Sequence, residues 1–132
     1  TSNLNNGVGI ARVRQMAVEN ILVALGTDGM ACGMLAELRN LIFSQHHIMG
    51  HPTAYFGDGI LALTRQNPAL AKHFFGRDIG ILHPGAVGDA VIWDYWPATP
   101  INADNIGGHL AFGAWETRAD TVISNGRTRV KN

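Results

Sequence analysis

An α/β unit giving way to a short β segment is the fold class this sequence predicts, and three features predict it. The first is the apolar run Ile21-Leu22-Val23-Ala24-Leu25, which stops abruptly at Gly26-Thr27-Asp28-Gly29. About five continuous apolar residues read as a strand buried on both faces, as in a parallel sheet flanked by helices. The second is a helical pattern on either side of that run. The third is Asn125-Gly126 between two apolar-alternating runs, the strongest short hairpin signal a sequence carries.

Taken in order, residues 8–19 place Ile10, Val13 and Ala17 at i, i+3 and i+7, an apolar stripe for a helix. The strand at 21–25 follows, then a helix over about 33–45 with Leu35, Leu38 and Ile42 on one face. Together these make one α-β-α step. Asp58 is placed to cap a short helix through Leu61 and Leu63. Asn67-Pro68 reads as an N-cap followed by proline at the first helical position, with Phe74 and Phe75 packed inward and Gly76 as terminator. From residue 79 the pattern turns to short strands at 90–95 and 122–124, the latter paired with 128–130 across a two-residue turn whose central positions need positive φ. Pro97 and Pro100 mark a loop between strands, and there is no internal repeat.

Composition narrows the function classes. Ten basic and ten acidic residues balance, so the chain has no electrostatic footprint for nucleic acid and no basic cluster for a membrane surface. No apolar run approaches the roughly 18 residues of a spanning helix, and the first residues lack a basic region followed by an apolar core. A cytoplasmic setting is therefore expected. The single cysteine, Cys32, excludes an internal disulfide. With no basic residue near it in sequence, it reads as a small residue packed at a helix start.

Asp28 is the most informative polar residue. It is a carboxylate on a short, glycine-flanked turn at the C-terminal end of the predicted strand, the edge where α/β sheets and barrels build their sites. Aspartate also favours helix caps, and the local residues leave both roles open. His47 and His51 have the i, i+4 spacing of helical metal ligands, but Gly50 and Pro52 interrupt a helix there and no glutamate stands between them. They read as a loop, with His46. His73 and His83 read as structural, and His109, approached by Gly107-Gly108, as packing between the two parts of the chain. Gly7-Val8-Gly9-Ile10-Ala11-Arg12 lacks the preceding strand and third glycine of a nucleotide-binding loop.

Leu25-Gly26-Thr27-Asp28-Gly29 followed by Met34-Leu35-Ala36-Glu37-Leu38-Arg39 resembles the last barrel strand and following helix of the amidohydrolase superfamily. Other matches fall in the same order. Ser2-Asn3-Leu4-Asn5-Asn6 is similar to the Ser-Asn loop after the seventh strand. Residues 80–94, Gly80-Ile81-Leu82-His83-Pro84-Gly85 through Asp89 to Trp93-Asp94, resemble the family's Gly-x-Leu-x-x-Gly-x-x-Ala-Asp-Leu segment, with Gly88-Asp89-Ala90 departing from Ala-Asp-Leu. Pro100-Ile101-Asn102-Ala103-Asp104-Asn105 with Gly107-Gly108-His109-Leu110-Ala111-Phe112-Gly113 points to the SsnA-like aminohydrolases within the chlorohydrolase and deaminase branch. Asp120-Thr121-Val122-Ile123-Ser124-Asn125-Gly126 resembles the family's terminal hairpin.

The resemblance implies that residues 1–78 are the last βα units of a TIM-like metal-dependent hydrolase barrel and 79–132 the strands of a small composite β-sandwich. It implies an aminohydrolase or deaminase that opens a non-peptide C–N or C–Cl bond of a heterocyclic or amidine-like small molecule. In that family a divalent metal, zinc or iron, is held by a His-x-His pair, two further histidines and the aspartate matched by Asp28. This chain has no His-x-His, and no histidine precedes Asp28. A full barrel takes about 250 residues. The chain is thus expected to be the C-terminal part of a larger enzyme, binding no metal and inactive by itself, with Asp28 as metal ligand and catalytic base. Ser2 and Asn3 are expected on the substrate side. Its expected partner is the N-terminal remainder of the barrel or a second copy, because Leu22, Leu35, Leu38, Ile42 and Phe43 exceed what so few elements cover. A non-catalytic assembly fragment and an inactive parent are the alternatives.

Overall fold

The chain, described over residues 1–132 by a computed structural model, begins with two short helices, α1 (Ser2–Asn5) and α2 (Val13–Val18), and a long one, α3 (Met34–Met49). α4 (Phe56–Leu61) runs through a π-helical turn (Ala62–Gln66) into α5 (Asn67–Phe75). Next come the strand β1 (Ala90–Trp93) and α6 (Ile106–Gly108), which continues as a π-helical turn (His109–Gly113) and a 3-10 turn (Ala114–Glu116). The strands β2 (Ala119–Ser124) and β3 (Arg127–Lys131) follow. No helix is long and apolar enough to cross a membrane.

α3 carries the apolar face its spacing predicts. Leu35, Leu38 and Ile42 are buried, and Gly50 at φ 60° ends the helix in the left-handed region that glycine enters without steric cost. Leu38 and Ile42 form the core with Ala111, and Leu25, Phe56, Ile60, Leu63 and Leu110 pack against it. The core therefore ties α3 to α4 and to the helical stretch 106–116, which local patterns did not reveal. Gly107-Gly108 weakens a helix by propensity, yet a Cβ on Gly107 would lie 3.3 Å from Ile60 Cγ1. Close packing outweighs propensity there.

Several local expectations are corrected. Asp58 lies inside α4, whose N-cap is Tyr55 at φ 61°. Asn67 is no cap either, because the helix passes through it. The π-helical turn has already shifted the hydrogen-bond register where Pro68 offers no N–H. Phe74 and Phe75 are 71% and 69% exposed, since the core's contacts on this long helix end at Leu63. α2 is shorter than the 8–19 stripe suggested. Cys32, expected to pack at a helix start, is exposed in the irregular segment just before α3.

The largest correction concerns residues 21–25, which form no strand. A barrel strand needs a strand on each side, and no other strand of this chain lies beside it. Ile21 and Leu22 are about half exposed, and the amides of Val23 and Leu25 bond instead to the side chains of Gln66 and Asn67. The one sheet is antiparallel, in the order β1-β2-β3, and no second sheet faces it to complete a sandwich.

In that sheet Val91 pairs with Val122 and Val122 with Val130, while Ser124 faces Arg127 across the predicted turn. Asn125 and Gly126 have φ 52° and 71°, the two positive values of a primed hairpin turn. The turn docks on the segment that departs from the family pattern: Asp89 Oδ1 accepts from Asn125 N–H at 2.7 Å, and Gly126 N–H donates to Gly88 C=O at 2.8 Å. A Cβ on Gly88 would sit 3.1 Å from Gly126 N, so glycine is what the close approach requires.

Candidate active site

Asp28 occupies the turn that leaves residues 21–25, in the left-handed region at φ 55°, which aspartate tolerates better than most residues. Its carboxylate is held at both oxygens. Ser2 Oγ donates to Oδ2 at 2.6 Å, and the Gly29 N–H donates to Oδ1 at 2.8 Å. These bonds, the serine hydroxyl's first and the glycine amide's second, hold the Asp28 carboxyl below its ordinary value. The group is thus an anion at neutral pH. Ser2 is buried at the start of α1 and is steadied by Asn6 Nδ2, 3.3 Å from its hydroxyl.

Both residues line a cleft of about 220 Å³ that also reaches Asn3, Glu37, Ser44 and Gln45. Asn3 is exposed at its edge and makes no side-chain hydrogen bond. Two polar residues of α3 in this cleft escape sequence reading because only burial distinguishes them. Glu37 is 5% exposed and accepts a hydrogen bond from the Thr1 hydroxyl. Gln45 is 1% exposed, donates to the Ala11 C=O at 3.0 Å and leaves its Oε1 without a partner.

The histidines stay apart from Asp28. His46 and His47 lie in the last turn of α3 and His51 beyond Gly50. His109 was expected to pack between the two parts of the chain, but its ring bonds Tyr95 Oη at 2.7 Å and Thr99 Oγ1 at 3.2 Å, both within residues 79–132. No three His, Cys, Asp or Glu side chains converge as metal ligands. Asp28 offers a single carboxylate with both oxygens already engaged, and one oxygen donor does not hold a transition metal. The residues present in this chain do not fit a metal by themselves.

Residues 1–129 match the model of the amidohydrolase family. A 5-methylthioadenosine/S-adenosylhomocysteine deaminase of Moorella thermoacetica is 30% identical over 130 residues, 96% of this chain and 30% of the relative. The deaminase of the same description in Pelotomaculum thermopropionicum is 31% identical over 130 residues, with the same coverage of 96% and 30%. A 5'-deoxyadenosine deaminase of Methanothermobacter thermautotrophicus is 27% identical over 136 residues, 100% of this chain and 31% of the relative. The chain thus spans about three-tenths of the length of these curated relatives. No solved structure matches it.

Proposed function

The chain belongs to the amidohydrolase family, and from that premise we propose that it is the C-terminal part of an aminohydrolase that deaminates a heterocyclic small molecule. Residues 1–78 would complete the barrel and 79–132 its β segment. The substrate class we favour is an adenosine-type nucleoside, as the names of the deaminase relatives suggest. The observation that carries the reading is the ionised, doubly bonded Asp28 beside Ser2, within a sequence that matches the family along almost its whole length.

The proposed role of Asp28 is general base and then acid. Its carboxylate accepts a proton as a water oxygen bonds to the ring carbon, and delivers it to the exocyclic nitrogen as the C–N bond breaks. Ammonia leaves and the ring keeps a carbonyl oxygen. Ser2 fixes the carboxylate's orientation, and Asn3 stands at the cleft edge within reach of a ligand. A zinc or iron ion of a metal-dependent parent would have to be held mainly by residues outside this chain, with Asp28 as this chain's contribution. The chain alone is accordingly inactive in this reading.

The test is reconstitution. Ammonia release from adenosine-type substrates should appear when the N-terminal remainder of the enzyme is supplied, and should fall by about 10²–10⁴-fold in Asp28→Ala, the scale of a lost acid–base group. Full activity of the reconstituted Asp28→Ala enzyme, or hydrolysis by the 132-residue chain on its own, would overturn the reading.

A further inference from the structure

We propose that Asn67 is a positioning residue for Asp28, holding the main chain of Leu25 in place three residues before the carboxylate. The proposal rests on the reading of Asp28 as the catalytic group. Asn67 Oδ1 accepts from the Leu25 N–H at 2.7 Å, and Asn67 Nδ2 donates to the Leu25 C=O at 2.8 Å. Both polar atoms of one side-chain amide are thus spent on both polar atoms of one residue, the exchange that a facing residue makes in an antiparallel ladder. The amide's orientation follows from its partners, since the N–H needs an acceptor and the C=O a donor. Gln66 adds a third bond, its Oε1 accepting from the Val23 N–H at 3.2 Å. Val23 and Leu25 are two residues apart, the spacing of amides along one edge of an extended chain.

The helix is built to permit this. Successive residues on a regular α-helix point about 100° apart, so Gln66 and Asn67 would not ordinarily serve the same edge. The π-helical turn Ala62–Gln66 ends at this pair, and such a widened turn re-aims the side chains at its end. On its other side Leu25 packs against the core of Leu38, Ile42 and Ala111. The side chain is therefore fixed by packing and the main chain by Asn67. Only Gly26 and Thr27 then separate that anchored residue from Asp28, whose own turn is closed by Ser2 and Gly29. Asn67 does not touch Asp28 and does not line its cleft, so it acts through Leu25. Aspartate at this position keeps an acceptor and loses the donor, and alanine loses both.

The experiment uses the isotope-labelled chain reconstituted with the unlabelled N-terminal remainder of its enzyme, with Asn67→Ala and Asn67→Asp, followed by NMR. Asn67→Ala should speed amide hydrogen exchange at Leu25 by about tenfold, the scale of one net hydrogen bond. It should also displace the Gly29 amide and Asp28 carboxyl-carbon resonances, while the amides of Leu38 and Ile42 stay protected. Asn67→Asp should leave the Leu25 amide protected and still displace the Asp28 and Gly29 resonances, because its second oxygen repels the Leu25 carbonyl. Resonances of Asp28 and Gly29 at their original positions in either folded variant would overturn the proposal, since Asn67 would then be a purely structural contact. If Asn67→Ala does not fold, Asn67→Asp decides by the same criterion. The catalytic role of Asp28 is read separately, by ammonia release in the reconstituted enzyme, so failure of one claim is distinguishable from failure of the other.

Discussion

Gly113 ends the π-helical turn that follows α6 and faces Tyr95 in the loop after β1, and a single methyl group there tests how closely the two segments approach. A Cβ at this position would lie 2.1 Å from Tyr95 Oη and 2.9 Å from its Cζ. Swinging the ring aside gives up the bond its hydroxyl makes with His109 Nδ1 at 2.7 Å. Gly113→Ala should therefore cost about 0.5–1.5 kcal/mol, the net scale of the Tyr95–His109 hydrogen bond that must give way, measured as a fall in the denaturant midpoint. Combined with Tyr95→Ala the loss should be markedly less than additive. Additive losses would place the clash elsewhere. Asp28 illustrates the other use of a special backbone position: its positive φ turns a carboxylate toward a serine 26 residues away in sequence.

Between elements, Asp78 links the end of α5 to the loop that precedes β1. Its Oδ1 is 2.7 Å from Lys72 Nζ and its Oδ2 3.3 Å from His83 Nε2. The His83 Nδ1 lies 2.8 Å from the Pro84 C=O, so both ring nitrogens face oxygens that only accept. Lys72, by hydrogen bond first and charge after, holds the Asp78 carboxyl below its ordinary 3.8, with His83 adding to it. A carboxyl lowered on folding contributes stability that is present above the unfolded value and lost as pH falls through the folded one. The clasp should thus be intact at neutral pH and weaken below about pH 4. Denaturation midpoints measured from pH 6 to 3 should drop more steeply in the parent chain than in Asp78→Asn. Equal slopes would mean that the clasp contributes nothing to folding.

At the scale of the molecule the core is small for the chain. Only 13 of 132 residues are buried, which leaves little to offset the entropy of ordering the rest. Leu35, Leu38 and Ile42 are covered, but Leu22 and Phe43 stay 52% and 44% exposed, and Trp96, Leu82 and Phe74 reach 91%, 82% and 71%. Several hundred Å² of apolar surface in water is worth on the order of several kcal/mol at about 25 cal/mol per Å², comparable to the stability of a small domain. We expect the chain to self-associate or to bind the remainder of its barrel. Sedimentation velocity over a range of concentrations should reveal association, and a compact monomer at all of them would contradict this.

What the sequence alone determined is what short-range pattern can encode: the apolar face of α3, the positive-φ turn at Asn125-Gly126, and the ordered motifs that place the chain in its family. Those features depend on neighbours within about four residues or on the order and spacing of side-chain types, and so survive being read as a string. The tertiary structure alone decided which partners the polar groups take. A continuous apolar run promises a strand, but a ladder requires a second chain segment at the right distance, and at residues 21–25 the amides of Gln66 and Asn67 fill that place. Asn67-Pro68 had the local signature of a helix start, and its amide is instead spent across 42 residues of sequence. The helical stretch 106–116 forms against propensity because Ala111 and Ala114 are buried there. In each case a long-range contact outweighs a local preference worth about 1 kcal/mol or less, because an unpaired amide or an uncovered apolar face costs more.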